Sequence, residues 1–133
     1  MPNDKVLYIA GPYTGQYHDY RSYCDIDAHI NEARKAAIWC ANAGVLYFSP
    51  HLHSAHMEVI VPHVPAAYWY RLDLVLAGAC QGILLLPHWE QSVGALAERE
   101  HFVTHGKRLF CFPQDQARVL AWAKGEEGNE NNL

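Results

Sequence analysis

Ser92, Gly94 and Glu98 stand in the stretch SVGALAERE, where a capping hydroxyl, a residue without a side chain and a carboxylate follow at helical spacing. Ser92 at a helix start leaves backbone N–H groups of the first turn to an anion, and Gly94 keeps a side chain out of its way. Glu98 lies one helical turn after Gly94 and so on the same face, whereas Glu100 points elsewhere. A carboxylate one turn from an oxyanion or phosphate subsite can attack a carbon held in front of it, as acidic nucleophiles do in retaining glycosyl transfer. The same residue types also open many helices that perform no chemistry, so the segment needs partners.

Two are available. Asp73, in YWYRLDLVL, lies on the edge of an apolar stripe and can protonate or orient a leaving base; its bland alternative is a solvated helix acid paired with Arg71. Tyr8 sits inside an apolar run, where it either fills the core or offers its hydroxyl to a nearby carboxylate. Tyr13, Tyr68, Trp69, Tyr70 and Trp89 supply aromatic surface for stacking on a base, with Trp69 the preferred wall; a lid or subunit contact would use them equally well.

Four apolar runs must position these groups. Lys5 to Ala10, Val45 to Ser49, Gly82 to Leu86 and Lys107 to Phe112 read as buried parallel strands, being continuous rather than alternating. Between them, Ile26, Ile30, Ala33, Ala37 and Cys40 form a helical face that Gly44 ends in a left-handed turn. After Pro65, the residues Tyr68, Leu72, Val75 and Ala79 trace a second stripe; Ser92 to His105 and Gln114 to Lys124 complete the helices. The expected class is α/β: an open sheet of four or five mainly parallel strands with helices on both faces. In such sheets ligands lie beyond the carboxyl ends of the strands, where the GPYTG loop with Gly11 and Tyr13, the segment after Ser49 and the PHWEQSVG loop share one pocket.

Composition narrows the partners. The chain has 133 residues, half of them hydrophobic, with eight tyrosines and four tryptophans, which fits one globular domain over residues 1–124 and a solvated acidic tail over 125–133. A net charge of −4, with ten scattered Lys and Arg, argues against polymeric nucleic acid but leaves a single nucleotide open. No run is long enough to cross a membrane. Cys24, Cys40, Cys80 and Cys111 have no close pairing and no basic leader precedes them, so reduced cysteines and a cytoplasmic location are expected.

LYIAGPYTG, FSPH, RLDLVLAGACQGILLLP, SVGALAERE and GKRLF, in that order over roughly Val6 to Phe112, resemble the nucleoside 2-deoxyribosyltransferase superfamily. That group includes the transferases, the deoxynucleoside monophosphate N-glycosidases and short bacterial and phage relatives. The resemblance implies a flavodoxin-like or Rossmann-like domain, a homo-oligomer, and a small-molecule nucleoside or nucleotide as ligand with no cofactor. It further implies Glu98 as nucleophile at the anomeric carbon, Tyr8 as the group that holds it, Asp73 as assistant to the base, Ser92 and Gly94 at a phosphate, and His51 in the pocket. Two departures bear on substrate: Gln81 replaces a commonly acidic residue, and GPYTG is shorter and less polar than the loop of the monophosphate glycosidases.

Other chemistries fit less well. His51, His53 and His56 form H-x-H-x-x-H, followed by His63, but this matches no zinc spacing, and no metal is expected. GPYTG lacks the Lys-Ser or Lys-Thr of a triphosphate loop and does not read G-x-G-x-x-G. A fold of this class does not by itself license a flavin. The non-enzymatic alternative is a nucleotide-binding or sensing domain.

Overall fold

The computed structural model describes residues 4–14 and 23–126; positions 127–133 of the expected tail lie outside them. The described residues form a four-stranded, wholly parallel sheet: β1 (Val6–Ala10), β2 (Leu46–Phe48), β3 (Gly82–Leu85) and β4 (Arg108–Cys111), in the order β2-β1-β3-β4. Helices cover both faces, so the architecture is the expected open α/β type.

The period of two along β1 divides the molecule. Leu7 and Ile9 point to one face, against Ala33, Ala37 and Cys40 of α1 (Tyr23–Ala43) and Val119 and Trp122 of α6 (Gln116–Ala123). Tyr8 and Ala10 point to the other, where Ala77 of α4 (Ala66–Gly78) and Phe102 of α5 (Val93–Thr104) close the layer. Two four-residue helices, α2 (Pro50–His53) and α3 (Met57–Ile60), carry the chain from β2 towards α4. Ile26, Ile30, Ala33, Ala37 and Cys40 are all buried, as their spacing predicts, and Gly44 ends that helix at φ 75°.

Two elements differ from the sequence reading. β2 is an edge strand shorter than Val45 to Ser49, and Leu46 and Tyr47 are exposed, because one side of an edge strand has no neighbour. On α4 the stripe of Tyr68, Leu72, Val75 and Ala79 does not face the core: Val75 is 69% exposed, and the inward side runs through Trp69, Asp73, Leu76 and Ala77. YWYRLDLVLAG is apolar nearly all round, so its periodicity does not select a face. Pro65 stands at the N-cap of this helix.

The chain leaves β1 for β2 on one side and reaches β3 on the other. β1 and β3 therefore flank the topological switch point, and their carboxyl ends open a crevice between the loops that follow them.

Candidate functional site

A cavity of about 360 Å³ occupies that crevice. Gly11 and Tyr13 after β1, His51 on α2, Trp69 and Asp73 on α4, and Ser92, Gly94 and Glu98 around the start of α5 all line it. Eight of the nine residues singled out by the sequence thus meet in one space. The ninth, Tyr8, is fully buried beneath it.

Tyr8 reaches the cavity through Glu98. Its ring is packed between Phe48, at 5.9 Å, and Phe102, at 5.5 Å, and its hydroxyl donates to Oε2 of Glu98. This bond solves two burial problems together, since neither a phenol nor a carboxyl is left unpaired under the α4 and α5 layer. Burial pushes the Glu98 carboxyl up to about 8; the Tyr8 hydrogen bond pulls it down and the nearby Asp73 charge pushes it up again. Asp73 is raised to about 6 by burial. The Tyr8 phenol is pushed far above its usual range, first by burial and then by the charges of Glu98 and Asp73. Glu100 is exposed, as its position on the helix predicts.

The start of α5 has the expected cap. Ser92 Oγ accepts the backbone N–H of Ala95 at 3.1 Å. Two glycines of the cavity then differ in what they do. A Cβ at Gly11 would fall 2.8 Å from Leu86 Cβ, so Gly11 lets the first loop cross the end of β3. A Cβ at Gly94 would meet nothing closer than Ser92 Oγ at 3.9 Å, so packing does not demand a glycine there. The bare backbone at Gly94 instead opens the first turn of α5 towards the cavity.

His51 is buried, and its Nε2 lies 2.7 Å from the carbonyl of Pro12, an acceptor, which places a proton on that nitrogen. Burial lowers its pKa to about 4, so the ring is a neutral anchor for the first loop. Tyr13 meets it edge-on at 5.3 Å. The histidine series does not converge. His51 and His53 sit two positions apart on a helix, so their rings diverge, and His53 packs on Phe48 at 5.7 Å. His56 pairs with Asp27 at 2.9 Å. Among the described residues no group of three metal-ligating side chains comes together.

Of the other aromatics, Tyr70 joins Trp69 on the wall. Tyr68 is exposed and meets Trp69 edge-on at 4.9 Å, while Trp89 stacks under Arg99 at 5.4 Å outside the cavity. Gln81 also lies outside. Its Oε1 accepts the Val6 N–H at 2.7 Å and its Nε2 donates to the Ala79 carbonyl, so it fixes the start of β1. Sequence reasoning missed Glu58, which lines the cavity from α3. It stands between Met57 and Val59, just after the histidine series, and a helix of four residues has no period long enough to show which way a side chain turns.

No helix among the described residues is long and apolar enough to cross a membrane. No curated protein matches the chain. Residues 5–114 match a family described as a domain of unknown function (DUF1937); the match spans all four strands and every cavity residue named above, and the chain belongs to that family.

Proposed function

We propose that the protein cleaves the N-glycosidic bond of a 2-deoxyribonucleoside or its 5′-monophosphate, or transfers the 2-deoxyribosyl group to another base, through a covalent glutamyl–sugar intermediate. One observation carries the reading: Tyr8, Asp73 and Glu98, from three separate elements, form a coupled acid pair and its hydrogen-bond partner at a sugar-sized cavity.

The steps follow from the residues. An Oε of Glu98 forms a bond to C1′ while the C1′–N bond breaks, and the departing nitrogen keeps that electron pair and takes the proton of Asp73. Water, losing its proton to Asp73, or a second base then attacks C1′ and releases Glu98 as carboxylate. The missing 2-hydroxyl of the sugar eases the oxocarbenium-like state. Tyr8 donates to the carboxylate throughout and favours its charged form. The productive pair holds one proton, on Asp73; burial favours the reverse arrangement, with the proton on Glu98, so the reactive form is the minor one. With Asp73 raised to about 6 and Glu98 to about 8, kcat/KM should be bell-shaped around neutrality, and its limbs belong to the pair.

The decisive experiment incubates the protein with ribo- and deoxyribonucleosides and their 5′-monophosphates, with and without a second base, and separates the free bases. Glu98→Gln should lower base release at least about a thousandfold, because a neutral amide keeps the shape and loses the nucleophile. Turnover by the variant at the wild-type rate defeats the nucleophile assignment. Saturable binding without base release from any substrate would instead favour a nucleotide-sensing domain, a reading supported by the proton that burial tends to keep on Glu98.

The proposal includes self-association. Val75 on α4 and Val93 on α5 are 69% and 77% exposed, and Leu96 on α5 and Ile60 on α3 are exposed as well. Light scattering should give a mass of at least twice 15.1 kDa. The four free thiols suit a reducing compartment, and we place the protein in the cytoplasm.

A further inference from the structure

Three carboxylates share the wall of the cavity: Glu98 from α5, Asp73 from α4 and Glu58 from α3. Glu58 takes no part in the chemistry above, yet it is held in place. The Tyr13 hydroxyl lies 3.0 Å from both of its oxygens and accepts the backbone N–H of His56 at 3.0 Å. A phenol has one proton to give, so lone pairs of the Glu58 carboxylate remain for a ligand. The first loop and α3 thus cooperate to fix an acid in the same cavity as the catalytic pair.

The charge of the space follows from these groups. His51 lines the same wall but is neutral, with its Nε2 proton given to Pro12. No lysine or arginine is among the described residues that line the cavity. A phosphate monoester would bring close to two negative charges beside the Glu58 carboxylate and the one charge of the Asp73–Glu98 pair, offset by the first-turn N–H groups of α5, in a partly dry space where like charges repel strongly. A sugar hydroxyl brings none, can donate to a carboxylate and can accept from Ser92, whose own O–H is left over when Oγ accepts from Ala95.

We propose that the site takes an uncharged nucleoside with a free 5′-hydroxyl, and that Glu58 is the residue that discriminates against the 5′-monophosphate. This rests on the N-glycosidic reading above and selects between its two substrate classes. The feature acts by repulsion as much as by attraction, the usual way in which a site separates ligands that share most of their atoms.

The test compares kcat/KM for matched 2-deoxyribonucleosides and their 5′-monophosphates with the full chain. The nucleoside should be preferred by about a hundredfold in the wild type, and Glu58→Gln should shrink that ratio to about tenfold, chiefly by raising the monophosphate value. Glu58→Ala replaces it if the first variant does not fold, and the wild-type ratio alone needs no variant. A monophosphate preference in the wild type, or a ratio that neither substitution changes, overturns the role of Glu58 while base release that depends on Glu98 keeps the glycosidic reading intact. Base release from neither class, or release that Glu98→Gln leaves untouched, removes both.

Discussion

The two faces of the sheet are built from the same strands and do opposite things. On the α1 and α6 face, Leu7, Ile9, Leu84 and Phe110 meet alanines, Val119 and Trp122 in a layer without a buried acid. On the α4 and α5 face, one residue along in β1, Tyr8 carries a hydroxyl into the layer, Glu98 answers it, and Asp73 stands at the edge. The first face is close packing with one fixed charge in it, the buried Arg108 guanidinium laid on Phe110 at 5.0 Å. The second buries a pair of carboxyls that can take up or lose a proton, which costs stability and raises the pKa of both.

This contrast can be broken from either side. The largest expected loss of stability comes from the apolar face. Trp122 is buried against Phe110 at 5.3 Å and lies over Gly82, so Trp122→Ala should cost about 3–5 kcal/mol. Denaturant unfolding measures this, and the pH profile of base release per folded molecule should keep its shape. A profile that moved with Trp122 would show that the faces are not separable.

A smaller effect of opposite sign belongs to the other face. The folded pKa of Glu98, about 8, lies above its ordinary 4.5, so the folded state binds the proton more tightly than the unfolded chain. The stability associated with that proton is complete below 4.5 and is lost as pH rises through about 8. Glu98→Gln removes the dependence. The variant should therefore be more stable than the wild type above pH 8 by about 2–4 kcal/mol, and gain little below pH 4.5. Unfolding midpoints measured across that range check it. Parallel curves for the two proteins would mean that Glu98 is not held in a dry layer. A gain in stability alongside a loss of base release would mark the position as one where function is maintained against folding.

Much of this arrangement was legible in the chain. The apolar face of α1 could be read because its alanines and isoleucines recur among polar residues, which fixes one side of the helix. The cap at Ser92 and the divergence of Glu98 from Glu100 could be read because both depend on helical geometry within a turn or two. Where a segment offered no contrast, reading failed. On α4, apolar nearly all round, the periodicity pointed to the wrong face, and the edge position of β2 is set by its neighbours rather than by its residues. Gly11 and Gly94 look alike in sequence, yet one answers to Leu86 and the other to open space.

Local order therefore determined which segments are strands and helices, where α5 begins and which of its acids turns inward, because those properties depend on residues a few positions apart. Only the tertiary structure decided that Tyr8 meets Glu98, that Asp73 is close enough to oppose its ionisation, and that Glu58 joins them from α3. The physical reason is that such pairings are enforced by the parallel order of the strands and by burial. Together these bring side chains 90 positions apart into contact and remove the water that would screen one charge from the next.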